Sequence, residues 1–94
     1  MLREAVRKEI FKVAPKNADF SVFKPERPEF GDYSSNVAMV SGGKGRPREI
    51  AEDLKKKLTK SKLFEKIEIA GPGFLNFFLA QDVFIKNLET IIKN

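Results

Sequence analysis

Leu2, Ala5, Val6, Ile10 and Val13 recur at helical spacing, with Arg3, Arg7, Lys8 and Lys12 filling the rest of the wheel. This predicts an amphipathic first helix, ended by Pro15, which has no amide hydrogen to continue it. Phe20-Ser21-Val22-Phe23 switches to alternation between Asn17/Asp19 and Pro25, and predicts a strand. Lys24 to Phe30, interrupted by Pro25 and Pro28, reads as a loop. Val37 to Val40 predicts a short helix entered through Gly31-Asp32-Tyr33-Ser34-Ser35-Asn36. Asp32 is its expected N-cap, the carboxylate accepting from the amides of Ser34 or Ser35.

Ser41-Gly42-Gly43-Lys44-Gly45 breaks that helix, and Pro47 opens the next at its favoured first position. Ile50, Ala51, Leu54 and Leu58 form its inner stripe, opposite Lys55, Lys56 and Lys60. Phe64, Ile67 and Ile69 against Lys66 and Glu68 predict a strand, and Gly71-Pro72-Gly73 a turn. Phe74 to Leu79 then returns antiparallel to that strand, and Asp82 opens a last helix striped by Phe84, Leu88, Ile91 and Ile92. The order αβααββα predicts an α+β fold in which helices pack on a small, mainly antiparallel sheet of three to four strands. Residues 1–94 read as one domain, without repeat or linker.

Composition narrows the chemistry. The chain has 94 residues with no cysteine and no histidine, which removes disulfides, thiolate nucleophiles and the usual neutral-pH acid/base group. Its longest apolar runs, such as Phe77-Phe78-Leu79-Ala80, are far short of the ~20 residues that span a bilayer. The mixed charge of the first residues is unlike a signal peptide, so a soluble, intracellular, basic binding module is expected. Lysines and arginines number 18 against 13 acids. Residues 44–66 hold nine of those bases and four of the acids, and so carry the whole net charge of +5. A localised positive field suits a polyanion, although lysine-rich helix exteriors are also common solvated faces.

The last predicted strand adds specificity. Alternation puts Leu75, Phe77 and Leu79 on one face and Phe74, Asn76 and Phe78 on the other. If the first set meets the helices, Phe74 and Asn76 project together, uncovered, beside the Gly71-Pro72-Gly73 turn. A ring can stack an unpaired base and a carboxamide can address its edge. In the plainer alternative Phe74 packs the sheet edge and Asn76 bonds the turn backbone.

Three blocks, Glu29-Phe30-Gly31-Asp32-Tyr33-Ser34-Ser35-Asn36-Val37-Ala38-Met39, Pro47-Arg48-Glu49-Ile50-Ala51-Glu52 and Ile69-Ala70-Gly71-Pro72-Gly73-Phe74-Leu75-Asn76, together resemble the N-terminal additional domain of arginyl-tRNA synthetase. The resemblance covers essentially the whole chain. It implies a non-catalytic domain that touches the elbow of arginine tRNA and reads a D-loop nucleotide through an aromatic-x-amide segment, here Phe74 and Asn76. Lys44, Arg46, Lys55, Lys56 and Lys60 would hold RNA backbone. It further implies a parent arginine–tRNA ligase using ATP and magnesium, with no cofactor in this domain. The HIGH-like and KMSK-like signatures of the catalytic part are absent from these residues. Expected partners are arginine tRNA and the parent's catalytic domain, with no membrane or DNA partner, and the chain is expected to be monomeric. The competing readings are a scaffolding domain that docks a catalytic domain or synthetase partner, and a non-specific RNA binder driven by its lysines.

Other candidates weigh less. The Ser41-to-Gly45 stretch lacks the phosphate-loop spacing and a preceding strand, so a helix-to-helix turn is expected. Asp32, Ser34, Ser35 and Asn36 suggest a polar site, but the structural reading is preferred, Asp32 by capping and Asn36 as a buried, satisfied amide. Glu26/Glu29 and Glu52/Asp53 are expected in a loop and on an exposed helix face, with no pocket and no nucleophile.

Overall fold

Helix α1 (Leu2–Val13) forms as its spacing predicts, with Val6 and Ile10 buried and the amide of Ala14 still bonded to the Ile10 carbonyl before Pro15. The structure is a computed structural model that describes residues 2–16, 18–41 and 46–80. After α1 come β1 (Val22–Phe23), a 3-10 turn (Pro28–Phe30), β2 (Tyr33–Ser35), α2 (Val37–Val40), α3 (Pro47–Leu58), β3 (Phe64–Ala70) and β4 (Phe74–Leu79). The strands form one antiparallel sheet in the order β1-β2-β4-β3. This is the expected α+β architecture with four strands. The expected last helix from Asp82 lies outside the described residues.

Strand β2 departs from expectation. Asp32 does not cap a helix. Its amide donates to the Phe77 carbonyl and its Oδ2 accepts from the amide of Leu79, both at 2.8 Å, so it extends the β2–β4 ladder. Ser35 takes the capping part instead, its Oγ accepting from the amide of Val37 at 3.2 Å. Asn36 is half-buried rather than buried, and its Oδ1 accepts from the amide of Ser21 at 2.8 Å. Gly31 precedes this segment with φ 106°, and a Cβ there would lie 2.7 Å from the Phe77 carbonyl oxygen. Only glycine lets the chain lie so close along β4.

Strand β3 contains an irregularity between Phe64 and Lys66. A strict two-residue period would send Phe64 and Ile67 to opposite faces. The extra residue brings both to the helix side, where they are 8% and 2% exposed. Val6, Ile10, Ala51, Leu54 and Leu58 of the helices meet Leu75, Phe77, Leu79, Phe64 and Ile67 of the sheet in one core. Phe77 is fully buried, its ring centroid 4.8 Å from that of Phe64. Each such side chain contributes ~1.5–3 kcal/mol by leaving water. The packing consumes one face of β4 and leaves the other for Phe74, Asn76 and Phe78.

Candidate nucleic-acid interface

Register decides what surrounds Asn76. Phe23 stands opposite Ser34, Ser34 opposite Asn76, and Asn76 opposite Glu68. Directly opposed residues share a face, so these four form a row across all the strands on the side away from the helices. Phe74 lies two residues along β4 from Asn76, opposite Ala70. The loop after β1 folds over this face and brings Pro25, Glu26 and Phe30 to it. The result is an open cleft of about 340 Å³ lined by Phe23, Pro25, Glu26, Phe30, Ser34, Ala70, Phe74 and Asn76. Its volume is at the lower end of small-molecule sites.

Phe74 and Asn76 therefore share one face and one cleft, as expected, but they do not stand in the open. Asn76 is only 7% exposed, recessed beneath the loop and the rings. Its Oδ1 accepts from the Ser34 hydroxyl at 2.7 Å, and it makes no bond to the turn backbone. Phe74 is half-buried, with the ring of Phe23 at 88° to it and 6.2 Å between centroids. This edge-to-face packing steadies one side of the Phe74 ring. Phe23 and Phe30 are themselves 38% and 47% exposed, so the apolar walls remain open to water.

The turn before Phe74 is fixed from the helix layer. Gly73, at φ 143°, lies so close to α3 that a Cβ would come within 3.0 Å of Pro47. Arg48 Nη1 donates to the Gly71 carbonyl at 3.0 Å. The first turn of α3 thus sets the height of the β3–β4 turn, and through it the start of β4. Charge at the cleft is mixed. Glu26 lines it, against the expectation of an acid remote from any pocket, and Glu68 ends the row with Lys66 Nζ at 3.8 Å. A ligand there would meet shape, aromatic faces and hydrogen-bonding groups more than a strong field.

A family model described as "Arginyl tRNA synthetase N terminal domain" matches residues 1–79. Arginine–tRNA ligase of Thermotoga maritima is 40% identical over 99% of this chain and 18% of its own length. That of Mycoplasma mobile is 41% identical over 100% of this chain and 18% of its own. The cytoplasmic arginine–tRNA ligase of Xenopus tropicalis is 37% identical over 84% of this chain and 13% of its own. The chain belongs to the arginyl-tRNA synthetase N-terminal domain family. It spans less than a fifth of the length of these curated relatives.

In this arginyl-tRNA synthetase N-terminal domain the basic candidates do not gather round the cleft. Arg46 and Arg48 are exposed at the start of α3, near the turn that leads to Phe74. Lys55, Lys56 and Lys60 lie on or just beyond the last turn of α3, about 12 Å or more further along at 1.5 Å per residue. Helix α3 packs against the other face of the sheet, so its outer lysines look away from the cleft. Lys44 lies outside the described residues. The sequence pattern assigns Phe23 to a strand, Phe30 to a loop and Ser34 to a structural polar segment, and none of them to the site.

Proposed function

We propose that this chain is the tRNA-recognition domain of an arginine–tRNA ligase, receiving one unstacked base of the D-loop or elbow of arginine tRNA in the Phe74/Asn76 cleft. The observation that carries this reading is the joint placement of a partly accessible aromatic face and a recessed carboxamide in one apolar cleft. Phe74 stacks the base, Asn76 hydrogen-bonds its edge, and Arg46, Arg48 and the α3 lysines meet backbone phosphates. The domain itself performs no chemistry. It supports arginine–tRNA ligation by a parent enzyme that supplies the ATP and magnesium sites, in the cytoplasm, with 1–94 as one monomeric domain.

The test is titration of the chain with arginine tRNA and an unrelated tRNA, for wild type, Phe74→Ala and Asn76→Ala. Each substitution should weaken arginine-tRNA binding by ~1–3 kcal/mol, roughly fivefold to 160-fold, with the fold retained. Unchanged affinity in both folded variants removes the site from the reading. Equal affinity for the two tRNAs returns the lysine-driven, non-specific alternative. A partner interaction insensitive to salt would instead favour protein docking on the sheet face.

A further inference from the structure

The carboxamide of Asn76 can offer a base either its carbonyl oxygen or its NH2, and which one it offers decides what the cleft accepts. Ser34 is 3% exposed, and its hydroxyl proton needs an acceptor at that depth. Asn76 Oδ1 is that acceptor, at 2.7 Å from the strand directly opposite. Turned by half a revolution, the amide would offer Ser34 an N–H and leave the hydroxyl proton unpaired. With Oδ1 held, Nδ2 has no hydrogen-bond partner among the described residues. Asn76 lines the cleft, and with Oδ1 held by Ser34 the group it can present there is the Nδ2 donor.

From this we infer that Ser34 is a positioning residue for recognition: it turns the NH2 of Asn76 into the cleft, which therefore selects a base presenting acceptors at that edge. Carbonyl oxygens and unprotonated ring nitrogens satisfy this requirement, whereas an edge of donors alone meets an unpaired N–H. The inference rests on the function proposed above and adds a residue that touches no base. Ser34 acts only through the carboxamide it orients.

A double-mutant cycle on the 94-residue chain tests it, using arginine-tRNA transcripts that carry each base in turn at the nucleotide the wild-type chain protects. Ser34→Ala should weaken binding roughly two- to tenfold, the scale of one hydrogen bond, and should narrow the discrimination between transcripts. In an Asn76→Ala background the same substitution should change neither quantity. Ser34→Cys, of similar size with a weak S–H donor, should fall between and covers the case in which Ser34→Ala does not fold. Without RNA, NMR relaxation of the Asn76 NH2 should show greater mobility in the Ser34 variants. If Asn76→Ala leaves binding intact, the proposed function fails. If Asn76→Ala weakens binding but folded Ser34 variants keep both affinity and discrimination, only the positioning role fails. Additive losses in the double mutant also overturn it.

Discussion

The backbone amide of Leu79 donates to Oδ2 of Asp32 across the β2–β4 ladder at 2.8 Å. A side chain thereby completes a ladder that β2, with three residues, is too short to complete with its own backbone. Asp32→Ala leaves that amide without its partner and should cost ~1–3 kcal/mol in urea unfolding. Asp32→Asn keeps an acceptor oxygen and should stay within about 1 kcal/mol of wild type. Equal losses for the two variants would mean that the carboxylate charge, and not the hydrogen bond, is what matters.

Gly31 makes a sharper demand. Its φ of 106° is foreign to L side chains, and a Cβ would meet the Phe77 carbonyl oxygen at 2.7 Å. Backbone cannot move aside as a flexible side chain can. Gly31→Ala should therefore destabilise by more than about 2 kcal/mol, through strain and displacement of β2 from β4. Thermal unfolding followed by circular dichroism reads this directly, and a loss below about 1 kcal/mol would contradict the close approach.

Salt should separate the two layers of the molecule. Replacing Lys55, Lys56 and Lys60 by alanine should flatten the dependence of tRNA affinity on salt, by up to about one unit of logarithmic slope for each phosphate no longer neutralised. Phe74→Ala should lower affinity at every salt concentration with the slope unchanged. Anisotropy titrations between low and moderate salt measure both. A flattened slope for Phe74→Ala would show that the ring also holds the backbone phosphates in place.

Glu9 supplies a pH signal unrelated to RNA. Its carboxylate accepts from Lys12 Nζ at 2.7 Å, and this bond holds its pKa below the ordinary carboxylate value. A lowered folded-state pKa contributes stability above the unfolded-state value, and the contribution is lost as pH falls through the folded one. Lys12 is largely exposed, so the effect stays on the scale of a surface pair, ~0.2–1 kcal/mol. Lys12→Ala should raise the Glu9 pKa toward the ordinary value in an NMR titration, and no change would remove the pairing as its cause.

Local patterns made most of the described elements legible. The stripe Leu2/Val6/Ile10, Pro47 at a helix start and the alternation around Asn76 each reflect interactions within a few residues. Strand β2 was not legible in the same way. Asp32 before Ser34-Ser35 satisfies a capping pattern, and only its pairing with β4, more than forty residues away, selects the strand. The site divides similarly. Phe74 and Asn76 could be placed together because they share one strand, whereas Phe23, Phe30 and Ser34 reach them through register and a folded-over loop. The loop residues Pro25, Glu26 and Phe30 line the same cleft as the recessed Asn76, a juxtaposition that no local period encodes.

The opposite outlooks of the cleft and the α3 lysines bear on kinetics. A positive surface attracts a polyanion at a distance, and its influence fades over about a Debye length, ~10 Å at moderate ionic strength. A recessed amide acts only once a nucleotide has entered. Under the proposed function, encounter rate and residence time would fall to different sides of one small domain, so either could be altered by substitution while the other is kept.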